Sequence, residues 1–575
     1  MYTQVFDPVG GSLALSALFA ALPLITLFVL LGGLRIAAWK AGIASLVVAV
    51  LVAILAWGMP VDQTLLVTAE GAVFGLFPIM WIVVNAIWIY NMTVKTGHFA
   101  ILRRSFAAIS DDKRIQAVIV SFCFGALIEG LAGFGTPVAI TSVMLIALGF
   151  SPIKAAVLAL VGNTAPVAFG SIGTPIITLG AITGLPVEDL GAMVGRQTPL
   201  LALFVPLILV FIVDGMRGVR QTWPAAMVAG FTFAVGQFVS SNYISVELTD
   251  LIGALLSTAA LVLFLRVWHP SDPLLEDPDA HEAFAPGTGP PAVAGAEAHP
   301  SSGSMEADIR RRDQKNDTPR EQFDAFLPYL IIVVAFALAK LFGPVKHALF
   351  SLSGGTDYGT DESKSFGFPW PGLNIVNPDG EAPSATTFGF SFFDTPGTIV
   401  LFCGILTIFL LKVGVGRALR AYGETLDQLK WAIVTVMAVL GLAYVMNLSG
   451  MTTSLGQFAA LAGGFFAFLS PILGWLGVAI TGSDTSSNAL FGTLQVAAAE
   501  DAGLSPLLMA ASNSSGGVLG KMISPQNLAI CAAAVGMAGR EGDILRKCLG
   551  WTIGLTLVMC VLVVLQAGPL SFMVP

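Results

Sequence analysis

Three ionisable side chains stand within apolar stretches of this sequence, away from its polar loops: Glu129, Asp484 and Lys521. A charge at the centre of a bilayer costs roughly 2.5–3.5 kcal/mol on insertion scales, so such groups are expected to be functional. A lysine ammonium can hold the carboxylate of a small anion, and a desolvated carboxyl group can take up and release a proton. The three residues therefore predict an anion site coupled to proton movement.

The two carboxylates stand in stretches that combine an apolar setting with helix-breaking residues. The first is ALIEGLAGFGTPVAI at 126–140, and the second is AITGSDTSSNALFG at 479–492. Two further stretches have the same character, NTAPVAFGSIGTP at 163–175 and NSSGGVLGKMISP at 513–525. Glycine and proline interrupt the helical hydrogen-bond ladder and free backbone groups, which a membrane protein tolerates only where they line a cavity. The four stretches therefore predict broken or re-entrant helices around a binding site.

Helix N-termini created at such breaks favour an anion, because free N–H groups and the helix dipole point at it. We expect the carboxylate of a small anion to meet Lys521 and the helix N-termini near Asn163 and Asn513. Glu129 and Asp484 are the expected proton-coupling residues. The other predicted binding residues are small or hydroxyl-bearing neighbours in the same stretches: Gly133, Gly135, Thr136, Thr164, Ser514 and Ser515.

Structural explanations compete with these assignments. Lys521 can form a buried ion pair with Asp484 or Glu129 that serves the fold alone. Glu129 can lie at a membrane interface, partly hydrated. Gly133 and Gly135 can serve tight packing between helices rather than binding. The sequence leaves these alternatives open.

The elements that must position these residues are apolar helices. Of the 575 residues, 55% are apolar and 11% are charged, whereas soluble domains average about 25% charged. Apolar runs of roughly 17–25 residues, the length of a membrane-spanning helix, recur along most of the chain. The short alternating strands of a membrane β-barrel are not what the sequence contains. The sequence therefore predicts an all-α polytopic membrane protein with about 12–14 transmembrane helices.

Cysteine and histidine give no sign of a metal site. The five cysteines are scattered without a CxxC pair, and the five histidines have no metal-ligand spacing. We therefore expect no metal and no cofactor. The expected partners are a small monocarboxylate, a proton and the lipid bilayer, with no nucleic acid, and the sequence does not fix the oligomeric state.

Lysine and arginine are concentrated in some loops, which the positive-inside rule places in the cytoplasm. The basic loops include 93–114 and 412–430, so the N-terminus is predicted to lie outside. The long loop 344–396 has only two lysines and is predicted to be extracytoplasmic. The segment 269–322, with eleven acidic and five basic residues between 270 and 322, is predicted to be a disordered cytoplasmic loop.

This loop separates an N-terminal membrane half, 1–268, from a C-terminal half, 323–575, and the two halves contain related stretches. GFSP at 149–152 recurs as GLSP at 503–506. A constant offset relates Asn163, Gly170, Thr174 and Pro175 to Asn513, Gly520, Ser524 and Pro525. We place the first repeat at about 71–182 and the second at about 425–535.

The charge rule gives the two repeats opposite topology. The helix that ends at Asn91 is predicted to run inward, whereas the helix that ends at Asn447 starts at a basic loop and runs outward. Inverted repeats are typical of secondary transporters, whose substrate sites lie near the bilayer midplane where helices are broken. The sequence therefore predicts a carrier.

Four blocks of this sequence, taken together and in this order, resemble the bacterial L-lactate permease family: LIEGLAGFGTPVAI, GNTAPVAFGSIGTPI, GSDTSSNALFG and SSGGVLGKMISPQNLAI. The resemblance covers most of the membrane part, roughly 12–268 and 323–567. It implies a proton-coupled lactate importer of the bacterial cytoplasmic (inner) membrane, with D-lactate and glycolate as further substrates. It also implies a carrier fold with re-entrant hairpins. The site residues above rest on charge and break positions rather than on the resemblance.

The alternative is a sodium-coupled carrier of di- or tricarboxylates, since such carriers share inverted hairpins. A dicarboxylate would suit two cations, whereas the sequence offers one lysine, although breaks rich in Ser, Thr and Asn could hold sodium. An enzyme is not expected, because a haem or quinone enzyme would need histidines or charges of another pattern within its helices. An ion channel would not accumulate solute.

Overall fold

The computed structural model describes residues 1–34, 36–133, 135–277, 317–356 and 366–575. Most of the disordered loop predicted at 269–322 lies outside these residues, at 278–316, as do residues 357–365 of the predicted loop 344–396. The described chain is overwhelmingly α-helical, with four very short strands. The prediction of an all-α polytopic membrane protein is confirmed.

The N-terminal half is a succession of apolar helices, several of which are broken or kinked. In chain order these are α1 (Leu13–Phe28), α2 (Ala38–Leu55), α3 (Val61–Phe74), α4 (Trp81–Lys95), α5 (His98–Ala107), α6 (Lys113–Ala117), α7 (Gly125–Ala132), α8 (Thr136–Ala147), α9 (Pro152–Gly162), α10 (Gly170–Thr183), α11 (Val187–Val194), α12 (Thr198–Val239) and α13 (Thr249–Phe264). Turns of π-helix at Gly75–Met80 and Val118–Phe124 join α3 to α4 and α6 to α7.

The described part of the C-terminal half has ten more helices. They are α14 (Pro319–Leu341), α15 (Gly343–Leu352), α16 (Pro396–Leu410), α17 (Val415–Ser449), α18 (Met451–Ala460), α19 (Phe466–Thr481), α20 (Asp484–Ala502), α21 (Pro506–Gly520), α22 (Pro525–Ala534) and α23 (Glu541–Ala567). Two of them begin directly after a break because serine caps them. Ser483 Oγ accepts from the Ser486 N–H, and Ser524 Oγ accepts from the Asn527 N–H.

Nine helices of the described chain are long and apolar enough to cross a membrane, or ten if the bent pair Pro152–Gly162 and Val167–Thr183 forms one span. The sequence predicts about 12–14 crossings. The difference lies in how some crossings are built. The continuous stretch Val187–Ile244 has 58 residues and is broken at Asp214, and at 1.5 Å per residue it is long enough to cross a bilayer core of about 30 Å twice. Short apolar helices such as α13 fall below the spanning length.

The order of elements is the same in the two predicted repeats. Each begins with a 35-residue helical stretch, Val61–Lys95 in the first and Val415–Ser449 in the second. A short helix follows, α5 or α18. Two helix–break–helix units come next, α7–α8 and α9–α10 in the first repeat and α19–α20 and α21–α22 in the second. Each of these four breaks therefore falls in one of the four glycine-containing stretches.

The two 35-residue stretches lie against each other and run in opposite directions. Gly71 packs on the backbone of Leu440 and on Tyr444. Twenty positions further along, Asn91 Nδ2 donates to Thr425 Oγ1 at 2.8 Å. Chain position therefore rises along one stretch as it falls along the other, which is the arrangement that an inverted repeat requires.

The loops group at two ends of the helix bundle. Strand β1 (Tyr2–Thr3) pairs in parallel with β3 (Ile375–Val376). The strands before and after β3 in the chain, β2 (Gly367–Pro369) and β4 (Thr387–Gly389), pair antiparallel with each other. The pairing of β1 with β3 joins the N-terminus to the loop 344–396. At the other end, the ion pair of Lys95 with Glu424 joins the end of α4 to α17, since most of the predicted basic loop 412–430 is the first part of that helix. Which end faces the cytoplasm stays a prediction.

A fully buried arginine ties α6 to the break in α12. Arg114 Nη2 donates to Asp112 Oδ2 at 2.6 Å, and Arg114 Nη1 donates to Asp214 Oδ2 at 3.1 Å. Its remaining donors reach the side chain of Gln221 and the backbone oxygen of Asp272. The guanidinium thus satisfies two carboxylates in the same desolvated network.

Replacing Arg114 with leucine is expected to lower the free energy of unfolding by about 3–5 kcal/mol, because both carboxylates lose their buried counter-charge. Arg217→Leu is the matched control. Its pair with Asp272 is exposed on both sides, so a loss of about 0–1 kcal/mol is expected. Thermal unfolding in detergent, followed by dye labelling of the buried free cysteines, measures both variants. Equal melting temperatures for the two would contradict the prediction.

Candidate functional site

Two of the predicted residues meet in a buried ion pair that joins the two repeats. Glu129 lies in the last turn of α7, and Lys521 begins the 3₁₀ turn Lys521–Ile523 between α21 and α22. Lys521 Nζ donates to Glu129 Oε1 at 2.6 Å, and their side chains are 7% and 2% exposed. Of the two partners considered for Lys521, the structure selects Glu129. It also places Glu129 inside the protein rather than at a hydrated edge.

Glycines at the breaks leave room for this carboxylate. A Cβ atom added to Gly170 would lie 2.7 Å from Glu129 Oε1, and one added to Gly133 would lie 3.2 Å from the same atom. Both distances are shorter than ordinary van der Waals contact, so side chains at either position would push against the ion pair. The glycines thus allow two backbone breaks to close around one charged group.

Asp484 is the first residue of α20 and stands beside the ion pair. Ser514 Oγ donates to Asp484 Oδ2 at 2.5 Å. Among the residues that the structure describes, the other oxygen, Asp484 Oδ1, is buried and has no hydrogen-bond partner, and the same is true of Glu129 Oε2. Buried acceptors without a donor are rare because their desolvation is not compensated. Each of the two carboxyl groups therefore has one oxygen available for a proton or for a donor on a ligand.

A small cavity separates the two carboxylates. Its volume is about 30 Å³, and about 10–15 Å³ of such space is enough to hold one water molecule. All four breaks contribute to its lining, through Glu129, Gly133, Val167, Gly170, Ser171, Pro175, Gly482, Ser483, Asp484, Thr485 and Lys521. A larger anion can enter only if the broken helices move apart, so this is a closed arrangement of the site.

One wall of the cavity has a strained backbone. Ser171 and Ile172 have φ angles of 46° and 58°, in the left-handed region. That region costs a residue other than glycine roughly 1–2 kcal/mol. The turn places Ser171 Oγ where it accepts from the Gly133 N–H at 3.1 Å. Strain of this kind is concentrated at functional sites. Here the strained turn fixes the position of Ser171, which corresponds to Lys521 in the predicted repeat.

Polar side chains behind the cavity are joined across the helices. Asn513 Nδ2 donates to Asn488 Oδ1 at 2.9 Å, and Asn488 Nδ2 donates to the carbonyl oxygen of Pro175 at 3.1 Å. Ser515 Oγ donates to Gln197 Oε1 at 2.6 Å. An amide of the second repeat thus binds the backbone at a break of the first, while the Ser171 carbonyl that Pro175 leaves free accepts from Thr174 Oγ1.

The structure brings together five of the predicted site residues and separates the others. Glu129, Lys521, Asp484 and Gly133 line the cavity, and Ser514 contacts Asp484. Asn513 and Ser515 belong to the polar layer behind it. The rest lie further along the breaks: Asn163, Thr164, Gly135 and Thr136.

These four residues lie outside the cavity, and the surroundings of each are different. Thr164 Oγ1 donates to the carbonyl oxygen of Val161 at 2.7 Å. A Cβ at Gly135 would lie 2.6 Å from Ile530, so this glycine serves packing against α22. Thr136 is half-buried at the start of α8. Asn163 is buried, and neither polar atom of its side chain has a hydrogen-bond partner in the described chain.

The expectation that helix N-termini lie near Asn163 and Asn513 is wrong. Asn163 ends α9, and Asn513 lies in the middle of α21, which continues to Gly520. At the two breaks of the second repeat, the helix N-termini lie instead at Asp484 and Pro525. Small and polar residues make 513–520 look like a break, but only proline and the residues before it interrupt this helix.

Asp250 is the functional candidate that the sequence reasoning missed. It lies in the first turn of α13, is 1% exposed, and packs against Gly130, the neighbour of Glu129. Asp250 stands only a few residues into an apolar run, so in the sequence it resembles a loop residue. The signal for its burial in the sequence is that Glu247 and Asp250 alternate with apolar residues.

No group of three His, Cys, Asp or Glu side chains in the described residues is placed to hold a metal ion.

Comparison with known proteins identifies relatives along the whole chain. The L-lactate permease family model matches residues 16–569. The chain is 40% identical to the L-lactate permease of Bacillus subtilis strain 168 over 581 residues, covering all of both chains. It is 43% identical to the glycolate permease GlcA of Escherichia coli K12 over 575 residues, covering 98% of each. Among solved structures, the Alcanivorax borkumensis YdaH transporter is similar over 87% of both chains, at 14% identity and a TM-score of 0.44.

Gly170→Ala is expected to lower the free energy of unfolding by about 1–3 kcal/mol, because the added Cβ overpacks the ion pair. Gly554→Ala on α23 is the matched control, since a Cβ there meets nothing within 4 Å. The control is expected to be neutral or to gain up to about 1 kcal/mol from helix propensity. Thermal unfolding in detergent distinguishes the two, and a Gly170→Ala protein that melts like the unsubstituted chain would refute the close contact.

Proposed function

The chain belongs to the L-lactate permease family, and we propose that it imports L-lactate by proton symport, with D-lactate and glycolate as further substrates. Members of this family are permeases, that is, transporters rather than enzymes. The chain is a multi-pass protein of the bacterial inner membrane. The observation that carries the proposal is the buried Glu129–Lys521 pair beside a cavity that all four breaks line.

Lys521 is the anion-binding group in this proposal. It is the one basic residue among the described residues that line the cavity. A single ammonium group matches a single carboxylate, whereas a di- or tricarboxylate would leave further negative charge uncompensated in a desolvated site. The bound carboxylate would replace Glu129 as the partner of Lys521, so the ion pair holds the cation ready while the site is closed.

Glu129 supplies the coupling to a proton. When the substrate anion takes Lys521, the Glu129 carboxylate is left buried without a counter-charge, which is strongly unfavourable. Uptake of one proton by Glu129 removes that charge. The loaded site then contains one ammonium, one substrate carboxylate and a neutral Glu129, so anion and proton cross together. Asp484 is the second carboxyl group that faces the cavity and the second proton-coupling candidate.

The remaining lining suits a 2-hydroxy acid with a small substituent. Hydroxyl partners are available from Ser171, Ser483 and Thr485. Val167 and Pro175 supply a small apolar surface for a methyl group. Glycolate lacks that methyl group but keeps the carboxylate and the hydroxyl, and the relative named as a glycolate permease is 43% identical.

Transport requires the closed cavity to open alternately to each side. The ion pair and the hydrogen bond between Asn488 and Pro175 join the breaks of the two repeats. These two contacts would break when one repeat moves against the other around a central site, as in other carriers with inverted repeats.

Purified protein in proteoliposomes is expected to accumulate labelled L-lactate when an inward proton gradient is imposed, equally with and without sodium. Unlabelled D-lactate and glycolate should compete, because they share the carboxylate and the hydroxyl. Filtration at timed intervals measures uptake, and protein-free liposomes are the control. Uptake that requires sodium, or that occurs with succinate or citrate but not with lactate, would reject the proposal in favour of a sodium-coupled carboxylate carrier.

Lys521→Ala is expected to reduce L-lactate uptake to the level of empty liposomes while the protein still reaches the membrane, because the anion loses its counter-charge. Glu129→Gln keeps the shape of the side chain but cannot change its charge, so it should abolish gradient-driven accumulation. Ser142→Ala, a buried hydroxyl on α8 whose one hydrogen bond is to its own helix, is the control and should retain uptake. Near-normal accumulation in both test variants would remove these residues from the mechanism.

A further inference from the structure

A third buried carboxyl group lies next to the ion pair. A Cβ atom added to Gly130 would lie 3.2 Å from Asp250 Cβ, so the first turn of α13 rests on α7 next to Glu129. Within the described chain, neither oxygen of Asp250 has a hydrogen bond of good geometry, and its side chain is almost fully buried. The amide of Gln237 donates to the carbonyl oxygen of Ala165 at 3.1 Å and also lies close enough to Asp250 to act as a weak donor to it.

Few charged groups lie around Asp250. Glu129 from α7 and Lys521 from the turn after α21 interact with it electrostatically, and α12 contributes only the neutral Gln237. Lys521 is already paired with Glu129 at 2.6 Å. An ionised Asp250 would therefore be an uncompensated charge inside the protein, at a cost of several kcal/mol. In the closed site the favourable form of Asp250 is the protonated one.

We propose that Asp250 is the group that passes the coupled proton to Glu129. This inference rests on the proposed proton symport and names a second residue for it. When the substrate carboxylate takes Lys521, the O–H bond of Asp250 breaks and its proton moves to a carboxylate oxygen of Glu129. Asp250 is then the charged group, and a proton from water restores it. The sum is one proton and one anion entering together, with no net charge.

Polar residues connect Asp250 with the end of the bundle that carries the loop 344–396. Glu247 lies three positions before Asp250 and pairs with Lys340 at 2.8 Å. Lys340 and Asp394 line a separate cavity of about 70 Å³. Burial raises the pKa of the Asp394 carboxyl above its ordinary value, so this group can hold and release protons closer to neutral pH. In the proposal, these groups supply protons to Asp250 from that end.

The test separates lactate exchange from net proton entry. Exchange of internal unlabelled lactate for external labelled lactate, at equal pH on both sides, does not require the carrier to load or release its proton in each cycle. A pH dye trapped inside the proteoliposomes reports the proton that enters with net lactate uptake. Asp250→Asn is expected to keep exchange within about threefold of the unsubstituted protein and to lose at least tenfold of the lactate-driven proton entry.

Glu70→Gln is the matched control. Glu70 is also a buried carboxyl group without hydrogen-bond partners, but it lies on α3 beside Gly71 and Tyr444, outside the site. It should keep both activities. Should Asp250→Asn fail to fold, Asp250→Ser replaces it, since a serine hydroxyl is small and carries no exchangeable charge. Lactate exchange and lactate-driven proton entry are measured for Asp250→Ser in the same way, with the same expected results.

Normal proton entry in the Asp250 variant would overturn the proposal, because the relay would then be dispensable. Loss of exchange together with proton entry, in a variant that elutes as a folded protein, would also overturn it by giving Asp250 a structural role. A failure of the underlying symport is recognised separately: the unsubstituted protein would then exchange lactate without any lactate-driven proton entry.

Discussion

The arrangement of the core follows from one buried ion pair, between residues 392 positions apart in the chain. Removing two charges from water is costly, and their attraction compensates only when the geometry is close and both groups are desolvated together. Lys521 and Glu129 meet this condition at 2.6 Å. To do so, the breaks of the two repeats must approach each other, and glycine is required where the backbone surrounds Glu129. The stretches with helix-breaking residues are thus what allows the two charged groups to meet.

Bringing broken helices together in a membrane leaves backbone and side-chain groups that water cannot satisfy. The structure satisfies some of them within a break, as with Thr174 and the Ser171 carbonyl, and others between the repeats, as with Asn488 and the Pro175 carbonyl. Among the described residues, the exceptions include one oxygen each of Glu129 and Asp484 and both oxygens of Asp250, and others lie away from the ion pair, such as both oxygens of Glu70. A site that must exchange its charge partners during each cycle needs such open positions, whereas a purely structural ion pair would be fully satisfied.

The charged centre of the site could be predicted from the sequence because hydrocarbon discriminates so strongly against ionisable groups that Glu129, Asp484 and Lys521 stand out. The helical class follows from the apolar runs, and the positions of the breaks follow from glycine and proline. The pairing of Lys521 with Glu129 rather than Asp484 could not be predicted, since it depends on which breaks face each other. The start of a helix at Pro525, rather than near Asn513, depends on capping by Ser524. Asp250 was hidden because burial depends on the helices packed around it.

The difference between the repeats bears on the stoichiometry of the site. An inverted repeat would place equivalent groups on both sides of the cavity, yet Lys521 of the second repeat corresponds to Ser171 of the first. A symmetric pair of lysines would repel each other and would suit an anion with two carboxylates. One lysine opposite a serine leaves a single positive charge and a hydroxyl held by a strained turn. A monocarboxylate with a neighbouring hydroxyl complements such a site, because its charge meets the ammonium while its hydroxyl finds a neutral partner. Under the proposed function, the departure from symmetry, rather than the symmetry itself, is therefore what matches the site to small hydroxy monocarboxylates.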